Sequence, residues 1–200
     1  MSKLFENDLA WLQKKGLFAG LDEAGRGALA GPVVVAAVVL DYNRPITGLN
    51  DSKLLSPAAR ESLFDQIKSS ALAFNIVRIN QGYIDRFNIL QATLLGFSNA
   101  FQKLEPAVQS CLIDGNHLPP DLKHCATAVI KGDSLHAAIA AASILAKVSR
   151  DKLMTEYDAV YPEYGFADHK GYGTPHHIRM IHSFGLCPIH RKSFRIPDLP

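Results

Sequence analysis

Phe18-Ala-Gly-Leu-Asp-Glu-Ala-Gly-Arg-Gly27 is followed at once by Ala28-Leu-Ala-Gly-Pro32 and the apolar run Val33 to Leu40. The stretch sets two adjacent carboxylates, Asp22 and Glu23, at the end of a short apolar segment, with an arginine between two glycines just beyond. Carboxylates suit hard divalent cations, glycines let a backbone come close to a ligand, and an arginine grips phosphate with two parallel hydrogen bonds. Together they point to a metal-dependent enzyme acting on a phosphate backbone. Val33 to Leu40 is β-branched and nearly all apolar, which predicts a buried strand.

Outward from this stretch the chain alternates strands and helices. Glu6 to Lys15 reads as an amphipathic helix ended by Gly16, and Leu17 to Asp22 as the first strand. Ser56 caps a helix that Pro57 opens and that runs to about Ser70. A strand over 74–80 precedes a helix from Ile84 to Leu104, closed by Pro106. Ser110 to Gly115 is a short strand ending on Asp114. Ala126-Thr-Ala-Val-Ile-Lys-Gly-Asp133 repeats that plan with an apolar strand, a glycine and a carboxylate. Leu135 to Val160 is a long helix whose Ala137, Ala138, Ala140, Ala141 and Ala142 permit close packing on a sheet. Thr174-Pro-His-His starts one more helix. The fold class is therefore α/β, one domain over residues 1–200, with no internal repeat.

Two hundred residues, 48% hydrophobic and 20% charged, are enough for one well-cored soluble domain. No apolar run approaches a membrane span, and the N-terminus lacks the plan of a signal peptide. Cys111, Cys125 and Cys187 are odd in number and form no close pair, which argues against a disulfide framework and for the cytoplasm. The net charge of +2 is unevenly spread. From His169 to Pro200, Lys170, Arg179, Arg191, Lys192 and Arg195 stand against Asp198 alone, a local +4, so the remaining residues sum to −2. A basic end beside an acidic middle fits a polyanion-binding surface around a carboxylate cluster.

Asp22, Glu23, Asp114 and Asp133 each stand at or just beyond the C-terminal end of an expected strand, where open α/β sheets build their sites. Adjacent residues on a regular strand face opposite ways, so Asp22 and Glu23 share a site only if the strand ends there. Two like charges about 4 Å apart repel by roughly 4 kcal/mol at an effective dielectric near 20. Four such groups must therefore take up protons or bind cations. Two Mg²⁺ or Mn²⁺ ions roughly 3.5–4 Å apart would offset the repulsion, activate a water and stabilise the leaving oxygen of a phosphodiester.

Asp22-Glu-Ala-Gly-Arg-Gly27, Leu112-Ile-Asp-Gly-Asn116, Lys131-Gly-Asp-Ser134, Ala141-Ala-Ser-Ile-Leu-Ala-Lys-Val-Ser-Arg-Asp151 and His169-Lys-Gly-Tyr-Gly-Thr174 resemble the bacterial ribonuclease HII family. So do Asn50-Asp-Ser-Lys53 and His190-Arg-Lys-Ser-Phe194. The match runs in order from about residue 17 to 195. The resemblance implies a ribonuclease H-like fold, a mixed five-stranded sheet flanked by helices, with residues 174–200 as a helical segment covering the substrate. It implies a monomeric endonuclease that cuts RNA in RNA–DNA hybrids and incises 5′ of single ribonucleotides in duplex DNA, leaving a 3′-hydroxyl and a 5′-phosphate. It makes Asp22, Glu23, Asp114 and Asp133 the catalytic metal ligands for two Mn²⁺ or Mg²⁺ ions. Gly25, Arg26 and Gly27 would meet the backbone around the ribonucleotide, Tyr172 would stack on the next sugar, and Lys53 and Lys170 would contact substrate. The 2′-hydroxyl is what separates a ribonucleotide from its DNA neighbours, and a glycine backbone reaches it where side chains would block.

Two positions depart from the family pattern: Ala28 replaces a usual proline and Leu54 a common second lysine. The absence of an added N-terminal domain argues against the related ribonuclease HIII. Gly25-Arg-Gly-Ala-Leu-Ala30 also satisfies a dinucleotide-binding pattern, but Pro32 and the strand after it deny the helix that pattern needs. His182, Cys187 and His190 lack the paired spacing of a zinc site. His136 is read as a helix-surface histidine rather than a proton shuttle. Arg150 and Lys152 are read as charge partners of Asp151 and Glu156. A non-catalytic hybrid-binding module is the competing reading, and acids that would face phosphates argue against it.

Overall fold

One alanine-rich helix lies across the sheet and sets the positions of everything around it. The computed structural model describes residues 2–50, 52, 54–104 and 108–196. Helix α1 (Lys3–Lys15) leads into strands β1 (Ala19–Ala24) and β2 (Val33–Val39). Helix α2 (Pro57–Ser70), strand β3 (Ala73–Ile79) and helix α3 (Gln81–Gln102) follow, and then strands β4 (Cys111–Asp114) and β5 (Ala126–Val129). Helices α4 (Ala137–Val160), α5 (Phe166–His169) and α6 (Pro175–Phe184) complete the order. The sheet runs β3-β2-β1-β4-β5, antiparallel among the first three strands and parallel from β1 to β5. This is the mixed five-stranded sheet that the family resemblance implies.

Every residue of β2 is buried because both faces of the sheet are covered. Ala36 and Val38 pack with the alanines of α4, whereas Val35, Ala37 and Val39 pack with Phe97 and Ala100 of α3. An apolar run with no polar alternation is what a strand covered on both faces requires, and Val33 to Leu40 has it. The five α4 alanines are fully buried. A Cβ at Gly20 would overlap the Ala138–Ile139 backbone, so glycine in β1 is what lets α4 sit so close.

Several element ends differ from expectation. β1 continues two residues beyond Asp22. β5 stops at Val129, because Lys131 adopts a left-handed conformation (φ 56°) and the chain then turns through a 3₁₀ segment, Gly132–Ser134. Asp133 is thus placed by a turn, not by a strand end. Helix α3 starts earlier than Ile84 and is broken at Asn88 (φ 67°), whose Oδ1 accepts the Gln91 N–H at 3.1 Å and caps the second half. The closure at Pro106 lies outside the described residues. Ser56 and Thr174 cap α2 and α6 as expected, accepting the Ala59 and His177 N–H groups, each at 3.2 Å.

The C-terminal part is helical only over α6. Gly185 (φ 76°) ends it, and residues 186–196 continue as irregular chain. That chain is stitched to the glycine-rich loop before β2: Gly31 N–H donates to Ile189 O, Arg191 N–H to Leu29 O, and Ala30 bridges His190. Among the described residues no helix is long and apolar enough to cross a membrane.

Candidate active site

The parallel register of β1 and β4 sets Leu21 beside Ile113, so the next residues, Asp22 and Asp114, come out at the same end of the sheet. Pairing with β4 stops there, which leaves that edge of β1 open beside both of its carboxylates. A cavity of about 370 Å³ opens at this point, lined by Asp22, Glu23, Asp114, the loop Gly25-Arg26-Gly27, Ser52, Ser143, Lys147 and Tyr172. Asp22 and Glu23 both line it although the strand runs on to Ala24, so an ended strand is not required. Asp133 is buried (4% exposed) in the turn whose Gly132 N–H donates to Asp114 Oδ1 at 2.6 Å, and it does not line the cavity.

Crowding of negative charge is visible in the proton affinities. Burial raises the Asp22 carboxyl well above the usual carboxylate range, and the charges of Glu23 and Asp114 raise it further. The Glu23 N–H, 2.7 Å from Asp22 Oδ1, and Ser143 oppose that shift. Burial also raises Glu23, against the pull of Arg26, whose Nη1 stands 3.3 Å from Glu23 Oε1. Among the described residues no three Asp, Glu, His or Cys side chains form a ready-made metal cage. The donor set nevertheless fits a hard divalent cation: oxygen ligands sharing one cavity, with the proton affinities of Asp22 and Glu23 raised by burial and further by neighbouring carboxylates, whose repulsion a cation would relieve.

The sequence of residues 19–196 matches the family model described as ribonuclease HII. The chain belongs to the ribonuclease HII family. It is 58% identical over 176 residues to the ribonuclease HII of Ruminiclostridium cellulolyticum, covering 88% of this chain and 69% of that protein. Among solved structures it is similar to ribonuclease H2 from Pyrococcus horikoshii, with a TM-score of 0.78 and 27% identity over 90% of this chain and 94% of that one. It shares its fold with Bst-RNase HIII, a structure in complex with Mn²⁺, at a TM-score of 0.63 and 20% identity over 84% and 63% of the two chains. Like its family, it is an endoribonuclease by descent.

The residues expected to contact substrate are only partly brought together in this ribonuclease HII chain. Gly25, Arg26, Gly27 and Tyr172 line the cavity. The Tyr172 ring lies with Lys147 Nζ 5.7 Å and Arg150 Cζ 5.3 Å from its centroid. Lys170 does not reach the cavity; its Nζ donates to Thr155 Oγ1 at 2.9 Å and to Ala167 O at 2.5 Å. Lys53 lies outside the described residues. Gly25 (φ 94°) backs onto Arg150, whereas a Cβ on Gly27 would meet nothing within 4 Å. The fold therefore requires glycine at position 25 but not at 27, where a side chain would enter open space. Ala28 N–H donates to Gly25 O at 3.4 Å, a bond that the proline usual in the family could not make.

Three readings change with the structure. Arg150 pairs with no acid among the described residues; it is fully buried and donates to backbone carbonyls. Arg191 belongs to the interior, not to a basic surface, and is also fully buried. His136 is neither a free surface group nor part of the cavity: its Nδ1 lies 2.8 Å from Oδ1 of the buried Asp8, which also accepts the Ala138 N–H. Sequence reasoning missed Ser52 and Ser143, whose hydroxyls meet at 2.7 Å in the cavity wall. The clue was a lone hydroxyl among the alanines on the buried face of α4. Lys147 also lines the cavity, paired with Asp151 at 2.8 Å.

Behind Tyr172 runs a chain of neutral imidazoles. Cys187 N–H donates to His190 Nδ1 (2.9 Å), so His190 must carry its proton on Nε2, which faces His177 Nε2 at 3.0 Å. His177 in turn donates from Nδ1 to the Tyr172 carbonyl at 2.9 Å. Every donor meets an acceptor only while both rings are neutral. Burial, above all, holds both histidines down to about 4, and the neighbouring His169 adds to it. A folded pKa below the unfolded value of about 6.5 means that the unfolded chain binds protons more tightly between the two values. Stability from this pair is thus intact above pH 6.5 and lost as pH falls toward 4, by on the order of 3 kcal/mol per ring at most. Urea midpoints should fall across that window, and His177→Gln, which keeps a donor and an acceptor without titrating there, should flatten the profile. An equally steep profile in the variant would contradict this account.

Proposed function

We propose that this chain is a metal-dependent endoribonuclease that cuts the RNA strand of RNA–DNA hybrids and nicks duplex DNA on the 5′ side of a single embedded ribonucleotide, leaving 3′-hydroxyl and 5′-phosphate ends. The observation that carries this reading is the cavity in which Asp22, Glu23 and Asp114 converge against a glycine loop left open at Gly27. Family membership supports the same activity. The reading has the enzyme work as a monomer in the cytoplasm, and its three free thiols suit a reducing compartment.

Asp22, Glu23 and Asp114, with Asp133 from the adjoining turn, would hold two Mg²⁺ or Mn²⁺ ions. When bound, these supply a more acidic water and neutralise charge on the phosphate. The chain's own groups do the rest. Glu23 N–H and Ser143 orient Asp22, and Gly132 N–H orients Asp114. The Gly25-Arg26-Gly27 backbone offers donors at a surface without side-chain bulk, suited to a 2′-hydroxyl and its neighbouring phosphate. The Tyr172 ring, steadied by two cations, stacks against the next sugar. Residues 174–196 contribute by holding this loop, as no described residue among them lines the cavity.

Purified protein incubated with a duplex containing one ribonucleotide tests the reading directly. Nicking 5′ of that nucleotide with Mn²⁺ and none with EDTA is the expected result. Tight binding with no cut under either condition would favour a hybrid-binding module. In the same assay Tyr172→Ala should lose about 30-fold in rate, the scale of one stacking contact, while Mn²⁺ affinity stays near wild type. An unchanged rate would remove Tyr172 from substrate recognition.

A further inference from the structure

Two buried guanidinium groups lie directly behind the glycine loop. Arg191 donates from Nη2 to Gly25 O (2.7 Å), from Nη1 to Arg26 O (2.8 Å) and from Nε to Gly31 O (2.9 Å). Arg150 donates to the carbonyls of Ala30 (3.0 Å), Pro32 (3.1 Å) and Lys170 (2.8 Å). Both side chains are fully buried, and among the described residues neither forms an ion pair. Two cations held in the interior by carbonyls and one aromatic face each, Tyr172 for Arg150 and Phe194 for Arg191, are costly for a fold, and a methionine of similar volume would fill either place without that cost. Retention of charge here needs a reason other than packing.

Peptide geometry supplies one. In a trans peptide the N–H points opposite to the C=O. The Gly25 carbonyl shares its peptide with the Arg26 N–H, and the Arg26 carbonyl with the Gly27 N–H. Pinning both carbonyls to Arg191 therefore turns both N–H groups away from it, and Gly25, Arg26 and Gly27 line the cavity. A cation on the carbonyl oxygen also polarises each amide, which strengthens its N–H as a donor in a site of low dielectric. We propose that Arg191 is a positioning residue for substrate recognition: through the carbonyls of Gly25 and Arg26 it aims and strengthens the Arg26 and Gly27 amides as donors to the sugar-phosphate backbone at the ribonucleotide. Arg150 fixes the far end of the same loop and ties it to the segment that carries Tyr172. The inference rests on the nuclease reading above and adds to it how the glycine loop tells ribose from deoxyribose.

The test compares wild type with Arg191→Lys and Arg191→Met below their unfolding temperatures. Dissociation constants are measured in Ca²⁺ for a duplex with one ribonucleotide and for the same duplex in all-DNA form. Arg191→Met is expected to lose about 10-fold in preference for the ribonucleotide duplex, with all-DNA binding and Mn²⁺ affinity unchanged, and Arg191→Lys to recover part of it. A merely structural role would lower the melting temperature and leave the ratio alone, and that outcome would overturn the proposal. Should the variants not fold, amide exchange in the wild-type enzyme decides. The Arg26 and Gly27 amides must gain protection with the ribonucleotide duplex and not with all-DNA duplex, and equal protection by both refutes the proposal. Failure of wild type to nick the substrate would sink the nuclease reading itself, whereas nicking with an unchanged Arg191→Met ratio would sink this inference alone.

Discussion

Asp22→Asn should abolish activity while making the metal-free protein more stable. Burial, then Glu23 and Asp114, raise the folded-state pKa of Asp22. A raised value means that the folded chain holds a proton more tightly than the unfolded one, so its stability drains away as pH climbs from the unfolded value of about 3.9 through the folded one. At pH 7 wild type bears that cost and the neutral amide does not. The amide oxygen can still accept the Glu23 N–H, so no buried donor is orphaned. A gain on the order of 1 kcal/mol, or about 2–4 °C in melting temperature, is expected without metal. With Mn²⁺ the order should reverse, since binding stabilises only a protein that binds. Nicking should drop by roughly 10³-fold or more, the several kcal/mol that a correctly held metal contributes. Thermal melts with EDTA and with Mn²⁺, beside the nicking assay, read all three effects. A lower metal-free melting temperature would show that the carboxylates are not in conflict.

Gly25→Ala and Gly27→Ala should part company. At position 25 an added Cβ must adopt φ near 94° and would collide with the Arg150 guanidinium, itself locked on three carbonyls. Strain and displaced packing together are expected to cost about 3 kcal/mol, a drop of roughly 6–12 °C. Nicking should fall at least 100-fold even where the protein is folded, because the loop moves with Arg150. At position 27 the methyl enters open space. Melting temperature should stay within about 2 °C of wild type while nicking falls about 100-fold, because the methyl stands where the substrate backbone must come. A Gly27→Ala enzyme as active as wild type would mean that no ligand approaches there.

The α/β class, the buried β2 strand, the helix caps at Ser56 and Thr174 and the close packing of α4 were legible because each follows from local chemistry: period, branching, a capping oxygen, a run of small side chains. The convergence of Asp22, Glu23 and Asp114 was inferred from their place at expected strand ends and is realised in one cavity. Position along the chain was a poorer guide where a turn intervenes. Asp133 looked like a strand-end acid, but left-handed Lys131 ends β5 early and sets Asp133 into a turn.

Arg150 and Arg191 mark the limit most clearly. In a linear chain an arginine beside acids, or within a basic tail, reads as surface charge, and nothing local contradicts that. Only the folded chain brings carbonyls 118 to 166 residues away onto these guanidiniums. The amino-acid order by itself determined which segments would be strands and helices and which acids could meet at one end of a sheet, because those follow from side-chain period and strand polarity. Which backbone dipoles face the cavity, and what holds them there, was decided only by tertiary structure, since a carbonyl has no sequence signature and its partner is chosen by long-range packing.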